Sequence, residues 1–183
     1  WEALGFVFYK LCPSYIDPGK AKEFMRYLPK QIVNIGVFVN AQEQRIKQIA
    51  KSCKLDILQF HGNESPKFCA KFKGYKIIKA FRIKNKLDRA GMLKYNTFAF
   101  LFDTFARSKM GGTGKKFDWE LIRHLNRINR PVFLSGGLTT KNVREAIKKV
   151  SPDWIDVSSS LEAMPGKKDH KKVEEFIKAI KSI

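Results

Sequence analysis

The chain has 183 residues, 44% of them apolar and 15 of them Phe, with a formal net charge of +19. That length suits one domain, or most of a larger one, with a sizeable core, and no apolar run approaches the roughly 20 residues of a membrane span. Cys12, Cys53 and Cys69 are too widely spaced for a CxxC metal pair or a disulfide framework, so a reducing, cytoplasmic setting is expected.

The positive charge does not single out a nucleic-acid partner. Its lysines are spread through nearly every segment ("IKNK", "GKK", "AIKKV", "GKKDHKK") rather than gathered in one arm with exposed aromatics. The pattern predicts a solvated surface, whose field would also draw in an anionic small substrate.

In chain order, the strand-like runs are "ALGFVFY", "QIVNIGVFV", "LDILQF", "YKIIKAF", "FAFLFD", "PVFLSG" and "WIDVSS". Several are nearly continuous rather than alternating, as expected of strands covered on both faces. Helical spacing fills the gaps. Ile46, Ile49, Ala50 and Cys53 share a face, as do Val143, Ala146, Ile147 and Val150, and Val173, Phe176, Ile177 and Ile180. Asp17-Pro18, Ser65-Pro66 and Thr139/Thr140 read as helix starts.

Seven strand-helix units with short connections predict an α/β protein with a parallel sheet. Without a second domain they favour a (β/α)8 TIM-barrel type with seven of its eight units, a single domain over 1–183. The first residues, "WEALGFVFYK", carry no basic leader and begin inside an apolar run, so the unit expected ahead of them is the first. Seven strands would leave edges, for which a homodimer or a segment completing the barrel is expected.

In such a barrel the chemistry sits where strands end. The polar residues there are Cys12 and Ser14, Asn40, Gln59-His61-Gly62, Arg82, Asp103, Ser135-Gly136-Gly137 and Asp156-Ser158-Ser159. Each has an ordinary structural reading as a cap, a turn or a surface charge. Their recurrence once per unit is what argues for a site. "LSGGLT" and "DVSSS" would end barrel strands seven and eight, where backbone N–H groups often cradle a phosphate. "GGTGK" after Asp103 is not a nucleotide-binding P-loop, because Lys109 stands where the first Gly is required. A loop that closes over substrate fits it better.

Together, "NIGVFVN", "LQFHG", "ESPKFC", "IKAFR", "FDT" with "GGTGKKFDW", "LSGGLTTKNVREAI", "DVSSS" and "PGKKDHKKVEEFI" resemble the phosphoribosylanthranilate isomerase family of tryptophan biosynthesis along the whole chain. The resemblance implies an Amadori rearrangement of a phosphoribosyl anthranilate, without metal or organic cofactor. It implies Asp103 as the general acid, which must stay partly protonated near neutral pH, so its surroundings are expected to raise its pKa. It implies Gln59, His61, Arg82 and Asp156 at the sugar and substrate, and Gly136, Gly137, Ser158 and Ser159 at the phosphate.

Three positions depart from the pattern. The family's general base is a Cys in a "KICGIT" segment that nothing here matches; Cys12 lies in a nearby loop but need not point inward. Ser14 stands in "CPSYI" where the family has Arg, and Ser160 ends "DVSSS" where Gly is usual. The alternatives are therefore a truncated or degenerate homologue that binds a phosphorylated ligand without turnover and, more remotely, a basic nucleic-acid-binding protein.

Overall fold

The computed structural model describes residues 2–83, 87–103, 119–123 and 128–181. The contacts divide them into two compact units: residues up to Ala80 with Ala90–Phe98, and Phe81–Arg89 with Ala99 onward.

In unit 1 the apolar runs become strands β1 (Ala3–Val7), β2 (Val33–Phe38), β3 (Ile57–Phe60) and the first part of β4 (Lys76–Arg82). They pair in parallel and in chain order, with Leu4 opposite Asn34, Ile35 opposite Ile57 and Leu58 opposite Ile77. Helices α1 (Pro18–Met25), α2 (Glu43–Ser52) and α3 (Pro66–Cys69) occupy the connections. The Asp17 carboxylate accepts from the Gly19 amide at 2.8 Å, and the Ser65 hydroxyl accepts from Phe68 at 3.1 Å, so both expected N-caps form. The expected face of α2 is the buried one, through Ile46, Ile49 and Ala50. Phe8, Phe38, Phe60, Phe68 and Phe72 form a connected run of ring contacts through this core. The short α4 (Arg89–Leu93) buries Met92.

In unit 2 the parallel order continues. The end of β4 bonds β5 (Ala99–Asp103) through Ile83 N to Asp103 O, β5 pairs with β6 (Val132–Ser135), and β6 with β7 (Trp154–Ile155). Phe81, Phe100 and Phe102 pack together, and Phe133 stacks on Trp154 with centroids 5.5 Å apart. Helix α5 (Val143–Val150) buries Val143, Ala146 and Val150, three of the four residues expected to share its face. Its start differs from the expectation: Asn142, not Thr139 or Thr140, is the capping position, and the Asn142 side chain accepts from the Thr139 amide instead. The turn at 139–142 is therefore bonded internally and delays the helix.

The segment after β7 also differs. A two-stranded antiparallel hairpin, β8 (Glu162–Met164) and β9 (Lys167–Lys168), precedes the last helix α6 (His170–Lys181). Its strands are too short to show alternation, so the residues of "PGKKDH" give no sign of a strand.

One device recurs in both units. Asp56, ahead of β3, accepts from the Asn34 amide at 2.8 Å, and Asp153, ahead of β7, accepts from the Val132 amide at 2.8 Å. Each aspartate ties the entry of its strand to the entry of the one before. The chain is thus an α/β protein whose seven parallel strands follow one another in sequence order.

Candidate active site

The strand ends of unit 1 carry two separate arrangements. Gln59 is buried, and its amide nitrogen lies 3.3 Å from His61 Nδ1. These two expected substrate residues are therefore brought together. Behind them lies a network that the sequence reading did not anticipate. Lys79, in the middle of β4, donates to Phe60 O at 3.2 Å, to Gly62 O at 2.7 Å and to Glu64 Oε2 at 3.0 Å. Glu64 in turn accepts from the Asn40 amide at 2.7 Å and the Gly62 amide at 3.0 Å. The Asn40 side chain accepts from the Asn63 amide, and Tyr95 Oη donates to Glu64 O.

The side chains of Lys79 and Glu64 are 3% and 2% exposed. A charge buried so deeply is tolerable only when paired and hydrogen-bonded, and here both are. Among the described residues Lys79 is the only buried lysine, so the expected solvated lysine surface holds for the rest. Burial pushes the nearby Cys69 thiol up to about 11; Lys79 opposes the shift and Glu64 adds to it. The signal for this network was visible in "YKIIKAF", where one lysine interrupts a continuous apolar strand. Asn40, one of the strand-end polar residues, serves here at a φ of 49° as part of the brace.

Unit 2 holds a cavity of about 250 Å³. Its lining includes Asp103, Ser135, Gly136, Gly137, Asp156 and Ser158–Ser160. Six of the expected site residues thus meet in one place: Asp103, Asp156, Gly136, Gly137, Ser158 and Ser159. Asp103 is half-buried at the end of β5, opposite Ser135 in register. The Ser135 hydroxyl donates to Asp156 Oδ2 at 3.2 Å, and the Asp156 amide to Leu134 O at 2.9 Å. Two carboxyls therefore stand at the ends of β5 and β7, on either side of β6, whose Ser135 orders one of them.

Gly136 and Gly137 have φ values of 93° and 63°, a left-handed backbone that favours glycine. Nothing lies within 4 Å of a side chain added at Gly137, so the turn exposes its backbone rather than packing it. Ser160 has no positive φ, so the position needs no glycine; its hydroxyl donates to Leu138 O and joins the two loops. Arg82, expected at the substrate, is exposed at the end of β4 and does not line this cavity. Ser14 and Cys12 lie in the turn after β1, where the Cys12 amide donates to Tyr9 O. The expected closing loop, 104–118, lies outside the described residues. No group of three or more His, Cys, Asp or Glu among the described residues is placed to hold a metal ion, and no described helix is long and apolar enough to cross a membrane.

Parallel strands in sequence order, with acids and glycine turns at their carboxyl ends, define an α/β fold of the kind that places its ligand sites at those ends. The comparisons make the class specific. Residues 2–179 match the family "N-(5'phosphoribosyl)anthranilate (PRA) isomerase", and the chain belongs to that family. The N-(5'-phosphoribosyl)anthranilate isomerase of Pelobacter propionicus is 44% identical over 98% of this chain and 85% of its own length. The crystal structure of the Thermotoga maritima isomerase superposes with a TM-score of 0.90 at 41% identity, over 100% of this chain and 89% of that one. A phosphoribosyl anthranilate isomerase crystallised with reduced 1-(o-carboxyphenylamino)-1-deoxyribulose 5-phosphate gives a TM-score of 0.88 at 39% identity, over 100% of this chain and 88% of that one.

Proposed function

We propose that the unit 2 cavity is the acid half and the phosphate end of an isomerase site of tryptophan biosynthesis. The reaction is the Amadori rearrangement of N-(5'-phosphoribosyl)anthranilate, the substrate in the names of the relatives. The observation that carries this reading is one cavity lined by Asp103, Asp156, the Gly136-Gly137 turn and Ser158–Ser159.

The chemistry follows from those groups. A protonated Asp103 carboxyl gives its proton to the furanose ring oxygen. The bond from that oxygen to the anomeric carbon breaks, and the anilino nitrogen lone pair forms the iminium. Loss of the proton from the neighbouring carbon to a base gives the enolamine, which becomes the ketone. The Gly136-Gly137 turn and Ser158-Ser159 receive the phosphate, because exposed amides and hydroxyls at loop starts suit an anion. Asp156, held by Ser135, meets a sugar hydroxyl, while Arg82 contributes positive charge for the approach of the substrate.

The base belongs to an eighth β/α unit of a barrel of which the seven here are part. Support comes from strand partners: among the described residues the one strand paired with β1 is β2, apart from a single bridge of Val7 to Tyr15, and the one strand paired with β7 is β6. A unit or a second copy placed on those edges completes the same reading. The lysine-rich surface fits a phosphorylated small molecule in the cytoplasm.

The test joins a first β/α unit from a relative to this chain and measures isomerisation. Turnover by the wild-type fusion and its loss in the Asp103→Asn fusion are expected, with phosphate-ligand affinity kept within a few-fold. An active Asp103→Asn fusion would remove the acid assignment. A fusion that binds the reduced product analogue but never turns over would favour the ligand-binding homologue instead.

A further inference from the structure

The "PGKKDH" segment is specific enough to help recognise the family, yet no step of the reaction uses it. The structure gives it a place. The β8–β9 hairpin turns at Pro165-Gly166 and brings Lys168 onto the loop that follows β7. Lys168 Nζ donates to Ser158 O at 3.1 Å, to Ser158 Oγ at 3.1 Å and to Glu162 Oε1 at 2.9 Å. Ser158 lines the cavity. Its backbone, at φ −133° and ψ −84°, lies in neither the helical nor the extended region. Lys168 therefore binds the hydroxyl and the carbonyl of a residue in an uncommon conformation, the carbonyl also accepting from the Leu161 amide at 3.0 Å.

The charges matter as much as the geometry. The Glu162 side chain is 9% exposed and lies within 3.4 Å of Ser158 Oγ. Alone, it would place an uncompensated carboxylate beside an anion site and hold the Ser158 hydroxyl hydrogen more strongly. With Lys168 present the carboxylate is paired, and the hydroxyl accepts from the ammonium. Its own hydrogen points at Glu162 Oε1 across a long 3.4 Å, a weak bond that a phosphate oxygen can replace. Lys172 offers a built-in comparison: it braces the same hairpin, donating to Glu162 O at 2.9 Å, not to Ser158.

We propose that Lys168 is a positioning residue for the phosphate end of the substrate, fixing Ser158 and cancelling the charge of Glu162 beside the cavity; this rests on the phosphate reading of that cavity. The experiment titrates inorganic phosphate into the chain, followed by calorimetry or by phosphorus NMR line width, so that it does not depend on turnover. Lys168→Met is expected to weaken phosphate about tenfold, the effect of a charge-assisted hydrogen bond. Lys168→Arg should restore affinity to within about threefold, and Lys172→Met should stay within about twofold of wild type. Adding Glu162→Gln to Lys168→Met should regain part of the loss. Equal affinity in wild type and Lys168→Met overturns the role. So does a loss in Lys172→Met as large as in Lys168→Met, which would make Lys168 a staple of the hairpin only. Absence of phosphate binding in wild type overturns the cavity assignment itself and this inference with it.

Discussion

The chain leaves β3 in unit 1 and β6 in unit 2 by similar sequences, His61-Gly62 and Ser135-Gly136-Gly137, and puts them to opposite uses. A side chain added at Gly62 would lie 2.4 Å from Asn40 Oδ1 and 2.8 Å from the Asn40 backbone nitrogen. At Gly137 it would meet nothing within 4 Å. The first glycine lets backbone close on backbone around a buried ion pair. The second, with its positive φ, holds a turn open to a cavity. Polar groups at a strand end are thus not one signal. Where they satisfy one another they brace the fold, and where their amides and carboxyls face a cavity they can bind.

Removing charge from each region should sharpen the contrast. In the open region, Asp103→Asn should cut isomerisation by the fused chain by about 10²–10⁴, the range for a lost general acid, and shift the unfolding midpoint little. In the closed region, Lys79→Met should do the reverse. It strands Glu64 without a cation in a buried site, which costs about 3–5 kcal/mol. Urea unfolding should show the loss, and the double variant Lys79→Met/Glu64→Gln should regain more than half, because the neutral amide still accepts from the Asn40 backbone. A Lys79→Met protein of wild-type stability would mean that the pair is not a brace. A destabilised Asp103→Asn would mean that the cavity is less open than its geometry shows.

The sequence carried the strand order well, and the reason lies in particular runs. "FAFLFD" and "PVFLSG" are continuous and β-rich, bounded by polar residues, and their strands end at Asp103 and Ser135. The cavity in unit 2 was legible because its residues fall at successive strand ends. The brace in unit 1 was less so. Lys79 is one of 36 Lys and Arg, and its partner Glu64 lies in a connection, so only its place inside an apolar strand marked it. The hairpin was not legible as structure at all. Strands of three and two residues, Glu162–Met164 and Lys167–Lys168, carry no period, and Pro165-Gly166 was the available sign. The helix start at Asn142 was missed because the preceding threonines look like caps while Asn142 bonds the turn ahead of them.

Smaller changes probe how tightly each region is closed. Gly62→Ala should destabilise by about 1–3 kcal/mol, the usual range for overpacking. The Asn40 side chain cannot simply swing aside, because it accepts from the Asn63 amide at 2.7 Å. Gly137→Ala meets no neighbour and should cost only about 1 kcal/mol, from its left-handed backbone. A urea series that ranked Gly137→Ala as the worse of the two would reverse the contrast between the turns.

The weakest effect expected is a pH dependence confined to the closed region. Burial holds the Cys69 thiol at about 11 against an ordinary 9.0, and burial also raises the Tyr95 phenol. In both, the folded state keeps its proton more tightly than the unfolded chain does. Their contribution to stability is therefore complete below the unfolded values and is lost as pH rises through the folded ones. Wild-type stability should decline from about pH 9 upward as the unfolded thiol ionises first. Cys69→Ala removes one of the two groups, so its urea midpoint, lower at neutral pH from the lost side chain, should fall less steeply between pH 9 and 11. Parallel slopes for the two proteins would show that the thiol is not sealed in and that water reaches the space beside Lys79 and Glu64.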